Sequence, residues 1–287
     1  MKLYGVICVY NESKIVKYVM PYLMNYGFDK LIIYDDGSTD NTIELIKNYN
    51  CDFIDIRSLN RDKINTKFDF EKTQLYINLF LEGKNEANNT GEDIWIYHSD
   101  FDEVLFSEGS SIKNYIGYKS SFYLPNYYCG RLINLVSERP WDGSKYIHSS
   151  TGIKCFYWHY FGQKTSLIKC NDFSISEYQF GIGNHILNLK LEDGKCKRNL
   201  NDTRGIYSFH LKYLNYEYFF DKNINNFDIN KNEYFTDKDK IKEEYDKSIS
   251  CSFPLNYYFA LHGFFGPNLP VEKYFNIPSM NIGDLTV

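Results

Sequence analysis

Three carboxylates stand within four positions in Asp100-Phe101-Asp102-Glu103, directly after the apolar run Ile94-Trp95-Ile96-Tyr97. Charge of one sign gathered this closely repels itself unless a cation or a cationic partner neutralises it. Asp100 and Asp102 are one residue apart, so in an extended segment both point to one side and can share a divalent ion. Phe101 then points back into the core. The pattern offers a hard-cation site with oxygen ligands. A solvated strand end looks the same in isolation, so the surroundings must decide.

Those surroundings alternate regularly. Leu3–Tyr10 reads as an apolar strand. Ile15, Val16, Val19, Leu23 and Tyr26 then recur at helical spacing, with Asn11 or Ser13 as the cap and Gly27 as the stop. Leu31–Asp36 is a second strand, entering the turn Gly37-Ser38-Thr39-Asp40, and Asp40 is placed to cap a helix over 41–49. Cys51–Arg57 is a third strand, Phe68–Leu81 a helix and Ile94–Ser99 a fourth strand. Strand and helix alternating at this spacing predict a parallel sheet with right-handed crossovers. Apolar strands without alternation predict a sheet covered by helices on both faces.

Ligands of such sheets bind beyond the carboxyl ends of the strands. Tyr10-Asn11-Glu12, Asp35-Asp36-Gly37-Ser38 and Asp100-Phe101-Asp102-Glu103 all stand there, so three polar clusters converge on one edge. Scattered surface carboxylates do not select strand ends three times.

Past residue 110 the pattern loosens. Ser121–Pro125 reads as a strand, Asn126–Gly130 as a turn, and 151–161 and 164–170 as strands. Aromatic residues recur at helical spacing from Tyr213 to Phe227, and 228–250 is a charged, solvated helix or excursion. Pro254, Pro267, Pro270 and Pro278 exclude a long helix across 252–287.

The 287 residues carry a net charge of −5, which argues against a nucleic-acid binder. Seven cysteines, an odd number without a C-x-x-C pair, suggest reduced thiols in a cytoplasmic setting. No apolar run reaches the ~18 residues of a membrane span, and Met1–Val9 lacks the features of a signal peptide.

Val9-Tyr10-Asn11-Glu12, Tyr34-Asp35-Asp36-Gly37-Ser38-Thr39-Asp40 and Ser99-Asp100-Phe101-Asp102-Glu103, in that order, resemble the nucleotide-sugar half of A-type (GT-A) glycosyltransferases, of the family 2-like group with its family 92 relatives. The resemblance covers roughly residues 3–106. A looser similarity runs through Lys164–Asn171, Gly183-Asn184-His185 and His210–Lys222, without the Arg-Ser that usually follows that histidine. It implies a GT-A type, Rossmann-like, mostly parallel α/β sheet with helices on both faces. Residues 1–220 would be the transferase domain, with 1–106 the nucleotide half and 107–220 the acceptor half. Residues 221–287 would form a helical or irregular C-terminal extension packed on the same domain.

The resemblance also implies a chemistry: metal-dependent transfer of a hexosyl group from a nucleotide sugar, favoured as a UDP-sugar, to a hydroxyl of a glycan or glycoprotein. The cofactor would be Mn²⁺ or Mg²⁺. Asp102 would ligate it, Asp100 would reach the ribose or the metal, and His210 is the choice for a third ligand. Asp36 would accept a hydrogen bond from a uracil imide N–H. Tyr10 would stack on the base, beside Asn11 and Glu12 at the same strand end. Gln74, on the inward side of its helix, is a second base contact, and Lys72 or Lys222 would face the phosphates. For the catalytic base His185, Glu177, Asp172 and Asp142 stay open, and Glu103 would orient the donor sugar. A nucleotidyltransferase or a non-catalytic carbohydrate- or nucleotide-binding protein are the alternatives, and homo-oligomerisation is left open.

Overall fold

The computed structural model describes residues 1–58, 68–107, 111–120, 127–137, 153–156, 163–171, 178–180, 187–190, 196–198, 206–213, 216–230 and 238–254. The chain divides into two compact units, Met1–Arg131 with Gln163–Ser208, and Leu132–Gly162 with Phe209–Val287.

The first unit opens with strand β1 (Lys2–Val9), helix α1 (Val16–Asn25), β2 (Lys30–Asp35), α2 (Thr42–Lys47), β3 (Ile54–Ser58), α3 (Phe68–Thr90) and β4 (Ile94–Asp100). β1 lies between β2 and β4, β3 flanks β2, and all these pairings are parallel. The order β3-β2-β1-β4 reverses direction at β1, because the chain steps outward to β3 and then crosses back to β4. Such a reversal is the topological switch point at which doubly wound sheets open a crevice for ligands. The α/β class and the parallel sheet expected from the alternation are therefore present. Next to β4 the sheet continues antiparallel, through β8 (Gln163–Lys169) and then the Tyr127–Arg131 part of β6 (Tyr127–Ser137).

Strand parity sorts the core onto the two faces. Tyr4, Val6, Ile32, Ile94 and Ile96 pack against Tyr76, Leu79, Phe80 and Ala87 of α3. Leu3, Ile7, Leu31, Ile33, Trp95 and Tyr97, of opposite parity, are also buried. On that second face Tyr26, Phe28 and Tyr97 meet ring to ring at centroid distances of 5.5 to 5.6 Å. Fully burying each large apolar side chain is worth ~1.5–3 kcal/mol, so the central strands anchor whatever their ends carry.

Helix α3 runs nine residues beyond the expected stop at Leu81, through the polar stretch Glu82–Thr90. The small residues Gly83 and Ala87 continue the Tyr76–Phe80 face and let the helix approach the sheet. A Cβ on Gly83 would stand 3.1 Å from Cys170 Sγ and Ile96 Cδ1 and 3.2 Å from Ile94 Cγ2. Polar residues cover the other side, which is why an apolar count stopped short.

At the amino edge of the sheet carboxylates are met by lysines. Lys2 pairs with Glu86 (2.5 Å) and Glu92 (3.4 Å), Lys30 with Glu82, and the buried Lys169 with Asp93 at 2.8 Å.

The unit is completed by β5 (Glu103–Ser107), α4 (Ile112–Ser120) and a three-stranded antiparallel sheet of β9 (Tyr178–Phe180), β10 (Leu187–Lys190) and β11 (Cys196–Arg198). In the second unit β7 (Ile153–Phe156) pairs antiparallel with Asn134–Ser137 of β6 and with β13 (Phe253–Pro254). β12 (Ile206–Tyr213) precedes α5 (Tyr216–Asn230), and α6 (Lys238–Ser250) follows. Tyr213, Phe219, Ile241 and Tyr245 form the core between these two helices. Residues 127–130, expected to turn, lie in β6 instead. Tyr and Cys suit a pleated strand, and the single Gly130 that suggested a turn is absorbed within it.

Among the described residues no helix is long and apolar enough to cross a membrane.

Candidate functional site

The strand register brings the three polar clusters level. Cys8 of β1 aligns with Tyr34 of β2 on one side and Asp100 of β4 on the other, and Val9 aligns with Asp35. Adjacent strands lie ~4.8 Å apart, so the ends of β2 and β4 are separated by only about 10 Å across β1. Tyr10, Asn11 and Glu12 emerge between them, at the switch point.

The loops after β1 and β2 are bonded to each other. Asn11 has φ +52, a left-handed conformation that asparagine tolerates better than most residues. Its Oδ1 accepts the N–H of Thr39 at 2.8 Å and of Asp40 at 3.3 Å. Its own N–H donates to Ser38 Oγ at 3.1 Å. The next two amides follow suit: Glu12 N–H donates to Thr42 Oγ1 at 2.7 Å and Ser13 N–H to Asp40 Oδ2 at 3.2 Å. Thr42 donates its N–H and its hydroxyl to Asp40 Oδ1. Within the second loop Ser38 N–H reaches Asp35 Oδ1 at 2.9 Å, and Gly37 supplies the φ of +78 that the turn requires. Asp36 N–H donates to Val9 O at 2.9 Å. Burial raises the Asp40 carboxyl, but the bonds from Ser13 and Thr42 outweigh it and hold the carboxyl below its ordinary range.

These bonds correct two cap assignments. Neither Asn11 nor Ser13 caps α1; its N-cap is Ile15, without a side-chain bond, because the Asn11 amide is spent on the neighbouring loop. Asp40 bonds the first turn of α2 from one residue before the N-cap Asn41. Gly27 follows the end of α1, as expected.

Asp100 ends β4, half-buried, and Phe101 is buried in the core as its parity required. Asp102 departs from the extended geometry expected of it. It lies in a turn between β4 and β5 and is only 1% exposed. Hydroxyls from the second face of the sheet hold that turn. Tyr97 OH donates to Glu103 O at 3.3 Å, Ser99 Oγ stands 3.1 Å from the same carbonyl and 3.2 Å from Glu103 Oε2, and Tyr26 OH donates to Leu105 O at 2.6 Å. Burial pushes the Tyr97 and Tyr26 phenols well above their usual range, so both remain donors. Ser99 stood in the acidic motif without an assigned role and Tyr97 and Tyr26 stood only as apolar positions, whereas the Ser38, Thr39 and Thr42 hydroxyls stand where turn chemistry puts such residues.

The other residues singled out by sequence are placed as follows. Asp36 is 1% and Glu12 6% exposed, whereas Tyr10 is half-buried. Gln74 is exposed and donates to Asn78 at 2.9 Å, so it is not on the inward side of α3. That side is set by Tyr76 and Phe80, and two residues along a helix turn the side chain far from it. His98 is buried, edge-on to the Tyr76 ring at 5.0 Å. His210 and Lys222 belong to the second unit. His210 is half-buried on β12 with Tyr213 edge-on at 6.1 Å, and Lys222 Nζ donates to Tyr218 OH at 3.2 Å. Asp142, Asp172, Glu177 and His185 lie outside the described residues, as does the Lys72 side chain. Among the described residues no trio of His, Cys, Asp or Glu side chains is gathered to hold a metal.

Residues 5–66 match the model of glycosyl transferase family 2. That region is similar to family 2 glycosyltransferases. It spans β1 to β3, the stretch whose loops form the bonded pair above. Over 45 residues the chain is 47% identical to the UDP-N-acetylglucosamine–dolichyl-phosphate N-acetylglucosaminyltransferase of Methanococcus voltae. That segment is 16% of this chain and 18% of the relative, so the chain spans under a fifth of it. Among solved structures, a mycobacterial protein is 16% identical with a TM-score of 0.28, covering 50% of this chain and 43% of its own. The inositol-1-phosphate CTP transferase of T. maritima is 12% identical with a TM-score of 0.28, covering 58% and 70%. The matched region includes two of the three strand ends; the Asp100–Glu103 turn lies beyond residue 66.

Proposed function

We propose that the protein transfers a sugar from a UDP-sugar to a hydroxyl acceptor, using a divalent cation held at Asp100 and Asp102. The observation that carries this reading is the convergence of a family 2 strand-end pair with an acidic turn, on adjacent strands at the switch point. The relative from Methanococcus voltae, named for a UDP-sugar donor, supports the choice of uridine.

Electrostatics supports the cation. A diphosphate approaching an edge lined by Asp36, Asp100, Asp102 and Glu103 meets charge of its own sign. At ~4 Å and an effective dielectric near 20, each such pair costs about 4 kcal/mol. One divalent ion reverses the sign of that interaction. Mg²⁺ and Mn²⁺ take oxygen ligands and are commonly held by one or two carboxylates plus substrate phosphates and water. Two aspartates therefore fit such an ion without a protein trio. When bound, the ion offsets the charge that develops on the leaving diphosphate.

The side chains have separate tasks in this reading. Asp102 ligates the ion, with its turn pre-set by the Ser99 and Tyr97 hydroxyls. Asp100 reaches the ion or the ribose. Asp36 accepts the uracil imide N–H, and Tyr10 lies against the base. Glu103, buried with Ser99 beside its carboxylate, acts by fixing the turn and the donor sugar. His185 or Glu177 is proposed as the base that takes the acceptor proton.

A donor screen tests the reading: free UDP is measured after incubation with each UDP-sugar and Mn²⁺. Release from at least one UDP-sugar, lost on adding a chelator, is expected. No release from any nucleotide sugar, with or without acceptor glycans, would sink it.

A further inference from the structure

The loops after β1 and β2 are not two independent binding elements. Consecutive amides of the first, at Asn11, Glu12 and Ser13, each donate to a side chain of the second, at Ser38, Thr42 and Asp40. In return the Asn11 side-chain oxygen takes the amides of Thr39 and Asp40. Thr42 is fully buried; its hydroxyl donates a hydrogen bond to Asp40 and accepts one from Glu12 N–H, so one side chain closes the circuit. The two residues proposed to read the base, Tyr10 and Asp36, sit at the roots of these loops, and the Asp36 amide is tied to Val9 directly. A contact from Tyr10 to the face of a base and one from Asp36 to its edge must be fixed relative to each other to tell one pyrimidine from another. The clasp supplies that fixity.

We infer that Asn11 and Thr42 are positioning residues that set nucleobase discrimination, by locking the Tyr10 loop to the Asp36 loop. Neither side chain needs to touch the nucleotide. The inference rests on the proposed uridine site and adds the means of its selectivity.

The test compares UDP and CDP affinity, with Mn²⁺, for the wild-type chain and three variants. Asn11→Gly deletes the amide but keeps the left-handed backbone without strain. Thr42→Val is nearly isosteric and deletes the hydroxyl, and Thr42→Ser retains it. Asn11→Gly and Thr42→Val should each reduce the UDP-over-CDP preference by about tenfold, the worth of one or two hydrogen bonds. Thr42→Ser should stay within about twofold of wild type, since its hydroxyl preserves both bonds. Folded Asn11→Gly and Thr42→Val variants with undiminished preference would overturn the inference.

Hydrogen exchange on the wild-type chain gives a readout that needs no variant. The amides of 11–13, 39, 40 and 42 should share one protection factor and gain protection together with UDP. Separate protection factors, or protection of one loop alone, would equally overturn it. A wild-type chain that binds neither nucleotide but shows a common protection factor would instead place the failure in the uridine reading.

Discussion

Asp36 and Asp40 stand four residues apart and do different work. Asp40 faces loop amides, and the bonds it accepts hold its carboxyl below the ordinary range. A carboxyl depressed in the folded state adds stability that is present above its unfolded pKa of ~3.9 and is lost as pH falls through the folded value. Asp40→Asn should therefore lower the urea midpoint at pH 7, and the gap to wild type should shrink below about pH 4. Equal gaps at pH 7 and about pH 2.5 would show that the charge of Asp40 is not what the clasp uses. Asp36 is buried beside Val9, at the strand end itself. Asp36→Asn keeps its volume but offers a donor as well as an acceptor to the base edge. UDP affinity should fall about tenfold while CDP affinity changes little, as calorimetry can measure. An equal loss for both nucleotides would remove Asp36 from base recognition. At this scale residue types and order pointed to the carboxylates, and the burial of Phe101 followed from parity. The partners of Asn11, Ser13 and Asp40 did not, because loop-to-loop bonding joins residues 27 to 30 positions apart without any local period.

The elements show where periodicity is informative. The apolar runs located β1, β2 and β4 to within a residue or two, since strands buried on both faces leave a continuous signal. Helix α3 outran its apolar stripe because close packing against a sheet can use small residues instead of large ones. Gly83 marks that contact, so Gly83→Leu should destabilise the chain by ~1–3 kcal/mol in urea denaturation. A change within ~0.5 kcal/mol, the range of ordinary surface substitutions, would mean that α3 does not depend on close approach there. The turn between β4 and β5 was hidden for a different reason. Asp100-Phe101-Asp102-Glu103 alternates as a strand would, yet the hydroxyls of Ser99 and Tyr97 capture Glu103 and turn the chain at Asp102. The acidic pair is thereby held by β4 and by the start of β5, a firmer mounting than a strand end extended into solvent.

For the whole molecule, the two edges of the parallel sheet differ in how they treat charge. At the amino edge, lysines 2, 30 and 169 pair with Glu86, Glu82 and Asp93. At the carboxyl edge, Asp35 and Asp40 are bound by loop amides, and the acidic turn is supported by hydroxyls. That edge was legible in the sequence because alternation predicts a parallel sheet whose strand ends share one edge, whereas the order 3-2-1-4 that sets them side by side is seen only in the structure. The second unit was less legible, since its aromatic helices and short antiparallel strands give no comparable convergence.

The most direct measurement is the thermal unfolding midpoint of the full chain with UDP, with Mn²⁺, and with both, for wild type and Asp102→Ala. Ligand that binds only the folded chain raises its stability by about 2.7 kcal/mol at a hundredfold excess over Kd. The expected result is a rise of several degrees for wild type with UDP and Mn²⁺ together, smaller with CDP or GDP. Asp102→Ala should unfold cooperatively near the wild-type midpoint and show no such rise. A wild-type chain whose midpoint is unmoved by any nucleotide with Mn²⁺, or an Asp102→Ala chain with the full metal-dependent rise, would contradict a cation-dependent uridine site at this edge.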